Sequence, residues 1–528
     1  MSLARNTVTM TVLTAISRAT GLVRILLVGA IVGTTYLGNT YQSTNTVPNI
    51  VFELMAAGTF QAVLIPALVR YQSEGNPKEA QNLAASVFGM ALVGLGSVAA
   101  IGMVASPLVA KLLFSGSPEA VRAEQIRLGT IFLLIFLPQV AMYALGMVAT
   151  AVLNSLHKFS APAIAPAVNN IIVCLAYVGF WVARDGQGPS LNLSALEIAL
   201  LAGGTTLGVV GFTAVPYMAL RRSTPFRLRP RFDLSNPQVR QVLRMGVWAA
   251  GFLASTQLLI MAELILSNRV EGGVVALQIG WTFFLLPYAL FAQPVLTALF
   301  PTMSKQSAEG DHAGIGRSIE QGTEMICLFV VPVAIAFVAV APAMCRAVLF
   351  GEIDTSAAAD VARVVVGFAP GTVGYGLLLF YARVRYADGD ARTPTVVNLV
   401  AGVVGAALMA ITFSLPSEPW RVALLAAIHA GVYSIAALVL LRISTKDLPT
   451  STKPHLARRL RPQLLALVLV FPLGVFVGRA VPTTSRLIAL IGGAGVGVGI
   501  MILFVLLTAS FGGPRPTSML RAIKGGTA

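Results

Sequence analysis

Residues 8–33 form the stretch VTMTVLTAISRATGLVRILLVGAIVG, an apolar run that also carries two arginines. A helix needs about 20 apolar residues to cross the hydrocarbon core of a bilayer. Runs of this kind recur along all 528 residues, of which 56% are hydrophobic and only 11% charged, with a mean hydropathy of +0.80. Because lipid offers no partner to open backbone groups, the sequence predicts an all-α membrane protein.

We predict about fourteen transmembrane helices, called spans here, from the length of these runs. A transmembrane barrel would instead show alternating segments of about ten residues, which the sequence lacks. The spans are 8–33, 43–69, 84–113, 128–153, 160–183, 195–219, 241–267, 274–303, 322–345, 359–383, 394–415, 421–443, 460–480 and 486–511.

The net charge of +16 is concentrated in alternate joints between the spans and in the two tails. Basic residues such as Arg70, Arg221 and Arg385 fill the even-numbered joints, whereas the odd-numbered joints hold few. The positive-inside rule then predicts a multi-pass protein of the bacterial cytoplasmic (inner) membrane with both termini in the cytoplasm. No basic and aromatic residues are interleaved as a nucleic-acid platform, so we expect no nucleic-acid partner.

Two local patterns recur six spans apart. Pro66 and Gly75 are matched at identical spacing by Pro301 and Gly310, and a second pair of matches follows. That second match joins Pro166 and Asn170 to Pro394 and Asn398. Such repeats predict two pseudo-symmetric six-helix lobes around a central cavity that is suited to alternating access. The predicted parts are an N-lobe (1–220), a basic cytoplasmic linker (221–240), a C-lobe (241–445), two further helices (446–511) and a cytoplasmic tail (512–528).

The first span holds Arg18 and Arg24 in an otherwise apolar helix. An arginine at membrane depth costs several kcal/mol unless it faces water or a partner. At 1.5 Å per residue from residue 8, Arg18 lies about 15 Å deep and Arg24 about 24 Å deep. The small Gly21 leaves room between them, and spacings of three predict that both lie on roughly one side. A guanidinium matches phosphate oxygens in geometry, so these residues are candidates for binding substrate phosphate.

The second span carries a polar stripe at helical spacing. Gln42, Asn45, Asn49 and Glu53 share one face, and Pro48 among them would free a backbone carbonyl and bend the span. The stripe is a second candidate for substrate contact. The alternative is structural, with Glu53 forming an ion pair with Arg18 or Arg24 inside the bundle.

Few other residues could carry chemistry. The cysteines (Cys174, Cys327, Cys345) and the histidines (His157, His312, His429, His455) have no metal-ligand spacing, so we expect no metal site. A few polar residues in the spans could couple transport to an ion, although a packing or interfacial role is the simpler interpretation of each: Glu263, Glu324, Asn169, Asn170 and Asn398. No Walker-type loop is present. We therefore expect no enzyme activity and no cofactor, with transport driven by the membrane potential or a monovalent cation.

Ser17-Arg18, Gly21, Arg24 and Pro48-Asn49 resemble the corresponding motifs of the MurJ/MviN family of lipid II flippases. The resemblance continues through Leu286-Pro287, Phe300-Pro301 and Thr393-Pro394, and so covers nearly the whole chain. It implies a MOP/MATE-like fold with a cationic cavity, and export of lipid II for peptidoglycan synthesis. It also implies that Arg18 and Arg24 engage the diphosphate headgroup, that Pro287 has a conformational role, and that membrane lipids and cell-wall synthesis proteins are partners.

The chain departs from the family at several expected charges. Many members carry an acid at the position of Asn39, an arginine pair at Phe52-Glu53, an acid at Ala57 and an aspartate-arginine pair near Trp281-Thr282. The stretch Asn-Thr-Val-Pro-Asn from Asn45 and the variant eighth span resemble the actinobacterial branch of the family, or a divergent paralogue there. They bear on the identity of the cargo more than on the class of transporter.

Three other functions remain open from the sequence alone. One is an exporter of another lipid-linked oligosaccharide, or of a drug, in the same superfamily, although a pump for drug cations would prefer acidic cavity residues. Another is a glycosyltransferase that uses a polyprenyl-phosphate sugar, which would need carboxylates clustered on the outer side. The last is a scaffold that transports nothing.

Overall fold

The computed structural model describes residues 3–56, 59–224, 226–232, 256–416, 418–446 and 448–514. Within these ranges the chain is helical and contains no strand, which confirms the predicted all-α class. Twelve helices there are long and apolar enough to cross a membrane. The predicted second and seventh spans extend into residues 57–58 and 241–255, which lie outside the described ranges.

The helices are numbered α1 to α19 along the chain. They are α1 (Leu3–Val32), α2 (Tyr36–Ala56), α3 (Thr59–Ser73), α4 (Pro77–Val104), α5 (Ser106–Leu113), α6 (Glu119–Phe136), α7 (Gln139–Ser155), α8 (Ser160–Ala183), α9 (Ala195–Ile198), α10 (Gly204–Ser223), α11 (Thr256–Ser267), α12 (Gly273–Pro287), α13 (Gln293–Ala308), α14 (His312–Val348), α15 (Thr355–Ala387), α16 (Arg392–Ile411), α17 (Trp420–Lys446), α18 (Leu456–Arg479) and α19 (Arg486–Ser510). Single π-helical turns join α9 to α10 (Ala199–Gly203) and α12 to α13 (Tyr288–Ala292).

Several predicted helix boundaries are corrected by the structure, mostly at proline. The third predicted span is two helices, because Pro107 in the first turn of α5 cannot continue the hydrogen bonding of α4. Pro138 likewise separates α6 from α7 inside the fourth predicted span. The helix of the second span begins at Tyr36 rather than near residue 43, directly after Gly33 takes a left-handed φ of 72°.

The chain forms two compact units. The first consists of Met1–Gln257 and Leu264–Val275, and the second of Leu258–Glu263 and Ala276–Ala528. The predicted lobe boundaries stay a prediction, since part of the proposed linker (225 and 233–240) lies outside the described residues.

In the first unit, α8 is the central support of the site described below. It packs against α1 on one side and α10 on the other. The contact with α10 is close because glycines face it: a Cβ on Gly204 would lie 2.2 Å from the Ala176 Cβ, and one on Gly208 would lie 2.4 Å from Asn169 Oδ1. Small residues of this kind let membrane helices approach closely, where the hydrophobic effect gives no driving force.

The predicted repeat is visible as matching helix ends. At the end of α3, Glu74 pairs with Arg70 at 3.7 Å and Gly75 takes a φ of 71°. At the end of α13, Glu309 pairs with Lys305 at 3.8 Å and Gly310 takes a φ of 68°. The next amide nitrogen donates back to the helix in both cases, from Asn76 to the Tyr71 carbonyl (2.9 Å) and from Asp311 to the Gln306 carbonyl (2.8 Å). The sequence match thus corresponds to one local structure used twice.

In the second unit, α15 and α17 pack against each other more extensively than any other pair of described helices. A Cβ on Gly367 would lie 2.4 Å from the Ala423 carbonyl oxygen, and one on Gly374 would lie 2.2 Å from Ser434 Oγ. Because Gly367 and Gly374 allow this close packing, the aromatic rings of α15 contact the middle of α17, where His429 lies.

Candidate functional site

Arg24 is positioned by the face of α1 that packs on α8. Asn170 of α8 directs its Nδ2 towards this face, 3.3 Å from Thr20 Oγ1 and 3.4 Å from the Ser17 carbonyl oxygen. A Cβ on Gly21 would lie 3.4 Å from Asn170 Nδ2, so the Asn170 side chain lies directly against this part of α1. Arg24 is one turn further along the same face and is partly buried in the first unit.

Tyrosines surround the Arg24 guanidinium. It lies close to the Tyr177 hydroxyl and within electrostatic range of Tyr41 and Tyr143. Tyr41 and Tyr177 share a hydrogen bond of 2.8 Å, and the Tyr41 hydroxyl also lies 2.6 Å from Thr205 Oγ1. These bonds fix the two rings, so the oxygens facing the guanidinium are held in place. Nothing in the sequence pointed to these tyrosines, because α2, α7 and α8 bring them together only in the fold.

Asn49, one residue of the polar stripe of α2, contacts this site through Tyr143. Asn49 Oδ1 accepts from the Tyr143 hydroxyl at 3.0 Å, and Asn49 Nδ2 donates to the Asn45 carbonyl oxygen at 3.0 Å. The Asn45 side chain is buried and that of Asn49 is exposed. Pro48 lies inside the helix and removes the amide that the Thr44 carbonyl would otherwise receive.

Glu53 does not pair with either arginine of α1 in this structure. Its Oε2 accepts instead from Gln257 Nε2 at 2.6 Å, and the described ion pairs include neither Arg18 nor Arg24. The structural alternative of an ion pair inside the bundle is therefore absent in this conformation. No carboxylate is among the groups that act on Arg24 within the described residues.

The two arginines occupy different faces of α1, which corrects the expectation that they share one side. Six residues advance about 600° around a helix, which leaves the side chains about 120° apart. Arg24 accordingly lies against the tyrosines, whereas Arg18 is exposed.

Asn39 has a structural role that the sequence did not reveal. Its Nδ2 donates to the Val270 carbonyl oxygen at 2.8 Å, and its Oδ1 accepts from the Val274 amide at 3.0 Å. The residue is fully buried, and it fixes the turn that leads into α12. The amide provides a donor and an acceptor together, whereas an ionised acid has no donor for the Val270 carbonyl oxygen.

The other departures from the family pattern are also apolar or local contacts. Phe52 packs on Tyr143 with ring centroids 4.3 Å apart. Thr282 Oγ1 donates to the Gln278 carbonyl of its own helix at 3.0 Å, and Ala57 lies outside the described residues.

Pro287 ends α12 directly before the π-helical turn Tyr288–Ala292. Proline lacks the amide that a regular helix needs, and π turns mark places where a helix can change register. The geometry is that of a weak point in the helix, and the conformational role of Pro287 stays a prediction.

A buried carboxylate and imidazole meet in the second unit. Glu263 Oε1 of α11 lies 2.5 Å from His429 Nδ1 of α17, with side-chain exposures of 4% and 0%. Glu263 stood out in the sequence as a charge in an apolar segment. The sequence did not indicate that His429 is its partner, because 166 residues separate the two.

Outside the spans, the turn between α15 and α16 contains a charged pair, Arg385 and Asp390. Asp390 Oδ2 accepts from Arg385 Nη2 at 2.6 Å, and its Oδ1 accepts from the Thr393 amide at 2.9 Å. Burial alone would raise the pKa of Asp390, but the hydrogen bonds from Thr393 and Arg385 outweigh it and lower the pKa to about 2.

Comparisons with known proteins converge on one family. A family model described as "Lipid II flippase MurJ" matches residues 28–487. The chain is 25% identical over 425 residues to the probable lipid II flippase MurJ of Haemophilus influenzae, covering 76% of this chain and 80% of that one. It is 26% identical over 409 residues to the lipid II flippase MurJ of Burkholderia cenocepacia, covering 76% and 77%.

Solved structures show the same fold. A structure described as lipid II flippase MurJ in an inward closed conformation aligns with a TM-score of 0.72 at 18% identity, covering 94% of this chain and 98% of that one. An inward-facing MATE family transporter of the MOP superfamily aligns with a TM-score of 0.66 at 12% identity, covering 84% and 98%.

Proposed function

The chain belongs to the lipid II flippase MurJ family, and from that premise we propose that it carries lipid II from the inner to the outer leaflet of the cytoplasmic membrane, with Arg24 engaging the diphosphate. The family match covers residues 28–487, and the fold is that of MOP-superfamily transporters. The cargo is a lipid-linked precursor, and the chain is a multi-pass membrane protein.

The observation that carries the proposal is the environment of Arg24. Its guanidinium lies in an apolar span, beside neutral hydroxyls and, within the described residues, without a carboxylate. A cation held at membrane depth without a counter-charge is costly, and it is most useful where an anion arrives. A diphosphate supplies that anion, and a guanidinium binds it through two parallel hydrogen bonds.

The neighbouring groups support orientation of the headgroup. The Tyr177 and Tyr41 hydroxyls, held by their mutual hydrogen bond, keep the guanidinium in place before cargo binds. Asn49 is exposed next to Tyr143 and offers an amide to the sugar or phosphate oxygens. Arg18, exposed on another face of α1, provides a second cation. Glu53 is exposed on α2, whereas Asn45 is buried and holds the Asn49 amide through its carbonyl oxygen.

Transport proceeds by alternating access, without chemistry on the cargo, so the protein acts as a secondary-type transporter. Gly21, Pro48 and Pro287 are the positions where the helices adapt between states. Both termini lie in the cytoplasm, and the driving force is the membrane potential or a cation gradient. A charge that moves across the membrane gains about 2.3 kcal/mol per 100 mV, so the potential alone can bias a charged headgroup.

The test is transport by arginine variants in cells that depend on this chain. Arg24→Ala and Arg18→Ala should each abolish the appearance of lipid II on the outer leaflet, measured by its accessibility to a lipid II-cleaving enzyme added outside. Arg442→Ala, an exposed arginine at the far end of α17, is the matched control and should transport normally. Full transport by both Arg18→Ala and Arg24→Ala would remove the phosphate-binding role.

Export of another lipid-linked oligosaccharide is the second candidate. It is favoured by Asn39 and Phe52, which serve packing where many family members carry charge. Depletion of the chain in its native cell separates the two cargoes. Lipid II should accumulate on the inner leaflet, and an unchanged distribution of lipid II would favour the other cargo.

A further inference from the structure

Three buried hydroxyl groups form a chain of hydrogen bonds that ends beside Arg24. The Tyr177 and Tyr41 hydroxyl oxygens lie 2.8 Å apart, and the Tyr41 oxygen lies 2.6 Å from Thr205 Oγ1. Thr205 Oγ1 in turn donates to the Leu201 carbonyl oxygen at 2.7 Å. The three side chains are no more than 1% exposed, so water does not compete for these bonds.

The number of available hydrogens fixes the direction of this chain. A carbonyl oxygen can only accept, so the single hydroxyl hydrogen of Thr205 points at Leu201. The bond between Thr205 and Tyr41 must then use the Tyr41 hydrogen, and the bond between the two tyrosines must use the Tyr177 hydrogen. Tyr177 is left with oxygen lone pairs, and these face the Arg24 guanidinium, which has only donors.

Thr205 is placed by an irregularity of its own helix. It is the second residue of α10, directly after the π-helical turn Ala199–Gly203. A π turn holds one extra residue, which rotates the positions after it by about 100° relative to a continuous α-helix. Gly204 also lets α10 lie close to α8, since a Cβ there would lie 2.2 Å from the Ala176 Cβ. These two features place the Thr205 hydroxyl against that of Tyr41.

The ring of Tyr41 is held independently of its hydroxyl. Phe132, Phe136 and Tyr177 all meet this ring edge to face, with ring centroids 5.9–6.2 Å away. Edge-to-face packing of this kind involves the ring and not the oxygen. Tyr41→Phe therefore removes one hydroxyl from the chain and retains the packing around it.

We propose that Thr205 and Tyr41 are positioning residues for the diphosphate, and that they orient Arg24 without touching the cargo. The chain keeps the Tyr177 hydrogen turned away from the guanidinium, so Tyr177 accepts one N–H of Arg24 and leaves the other donors for the phosphate oxygens. A guanidinium that is oriented before the cargo arrives loses less conformational freedom on binding. This inference rests on the proposed function, in which Arg24 binds the diphosphate.

Binding to the purified chain in lipid nanodiscs tests the proposal. The two probes are N-acetylglucosamine on a polyprenyl diphosphate and the same sugar on the corresponding monophosphate. The readout is the preference for the diphosphate, which is the dissociation constant of the monophosphate divided by that of the diphosphate. Tyr41→Phe and Thr205→Val should each lower this preference about fivefold, equivalent to about 1 kcal/mol, the net contribution of one hydrogen bond. A loss of packing alone would weaken both probes equally and leave the preference unchanged.

A double variant distinguishes one connected chain from two unrelated contacts. Both substitutions interrupt the same chain, so Tyr41→Phe combined with Thr205→Val should lower the preference no further than either change alone. Thr205→Ser keeps the hydroxyl and should retain the wild-type preference. Thr213→Val is the matched control, because Thr213 is also buried and its described hydrogen bonds, to the Val209 and Val210 carbonyls, stay within α10. It should retain the wild-type preference as well.

Four results would overturn the positioning role. The first is a wild-type preference in both Tyr41→Phe and Thr205→Val or, if Thr205→Val does not fold, in Tyr41→Phe alone. The second is a double variant whose loss is the product of the two single losses. The third and fourth are a fivefold loss in Thr205→Ser and the same loss in Thr213→Val.

Arg24→Gln separates this inference from the proposed function. An Arg24→Gln protein that retains the preference for the diphosphate would contradict the proposed function, and the positioning role with it. If Arg24→Gln loses the preference while Tyr41→Phe and Thr205→Val retain it, only the positioning role is contradicted.

Discussion

Asn39→Asp changes one buried amide to the acid expected from the family resemblance, and we predict that it destabilises the protein. Asn39 is fully buried and bridges two backbone groups, 2.8 Å from the Val270 carbonyl oxygen and 3.0 Å from the Val274 amide. An ionised aspartate keeps the second contact but loses the first. It also places a charged oxygen against the Val270 carbonyl.

The magnitude follows from that geometry. An unsatisfied buried acceptor costs about 1–3 kcal/mol, and more when a charge is involved, so we expect a loss of about 2–4 kcal/mol. For a cooperative unit of half this chain, the entropy of unfolding converts 1 kcal/mol into about 2 °C. The midpoint of thermal unfolding in detergent should therefore fall by about 4–8 °C.

The matched control is Asn192→Asp, the same change in an exposed loop of the same unit. It should move the midpoint by about 1 °C or less, because surface substitutions stay within about 0.5 kcal/mol. If Asn39→Asp unfolds at the wild-type temperature, the two hydrogen bonds of Asn39 do not stabilise the turn before α12, and the reasoning is wrong.

Three further predictions concern stability. Arg184→Ala should lower the free energy of unfolding by about 3–5 kcal/mol, because it leaves the Glu197 carboxylate buried without its counter-charge. In the wild type this carboxylate lies 3.0 Å from Arg184 Nη1, and both side chains are nearly buried. A loss below about 1 kcal/mol would show that the ion pair does not stabilise the fold. Gly75→Ala and Gly310→Ala should each lower the free energy of unfolding, measured by chemical denaturation, by about 1–2 kcal/mol, because alanine is strained at a positive φ. The added methyl group meets no neighbour at either position, so the loss measures backbone strain alone. Stabilisation by either substitution would contradict this reasoning. Asp390→Asn should cost about 1–2 kcal/mol at pH 7. The pKa of Asp390 is lowered to about 2 in the folded state, so its stabilising contribution is complete above about pH 4 and is lost as the pH falls through 2. A stability difference between Asp390→Asn and the wild type that stays constant from pH 4 to pH 2 would contradict this prediction.

The class of fold could be predicted from the sequence because the solvent dictates it. Long apolar runs in lipid can only be helices, and the described parts of the predicted spans are helical, although several spans begin elsewhere or divide into two helices. The boundaries were less predictable, since hydropathy continues through Pro107 and Pro138 although the backbone hydrogen bonds do not. The repeat was visible because a helix end with a positive-φ glycine needs that residue type in both places.

The candidate site was predictable only in part. Arg24 stood out because charge in an apolar run is conspicuous, but its partners Tyr177 and Tyr143 are ordinary residues in distant helices. Glu263 was visible for the same reason as Arg24. Its partner His429 was hidden, because nothing in the sequence around either residue points to the other.

The claim that Arg24 binds the diphosphate is tested most directly by comparing two ligands on two proteins. The purified chain in lipid nanodiscs would be titrated with a lipid-linked sugar carried on a diphosphate and with the same lipid and sugar on a monophosphate. Charge-assisted hydrogen bonds contribute about 1.5–3 kcal/mol, so the wild type should prefer the diphosphate by about 10- to 100-fold and Arg24→Gln should lose that preference. An Arg24→Gln protein that retains the full preference for the diphosphate would contradict the assignment of Arg24 as the phosphate-binding residue.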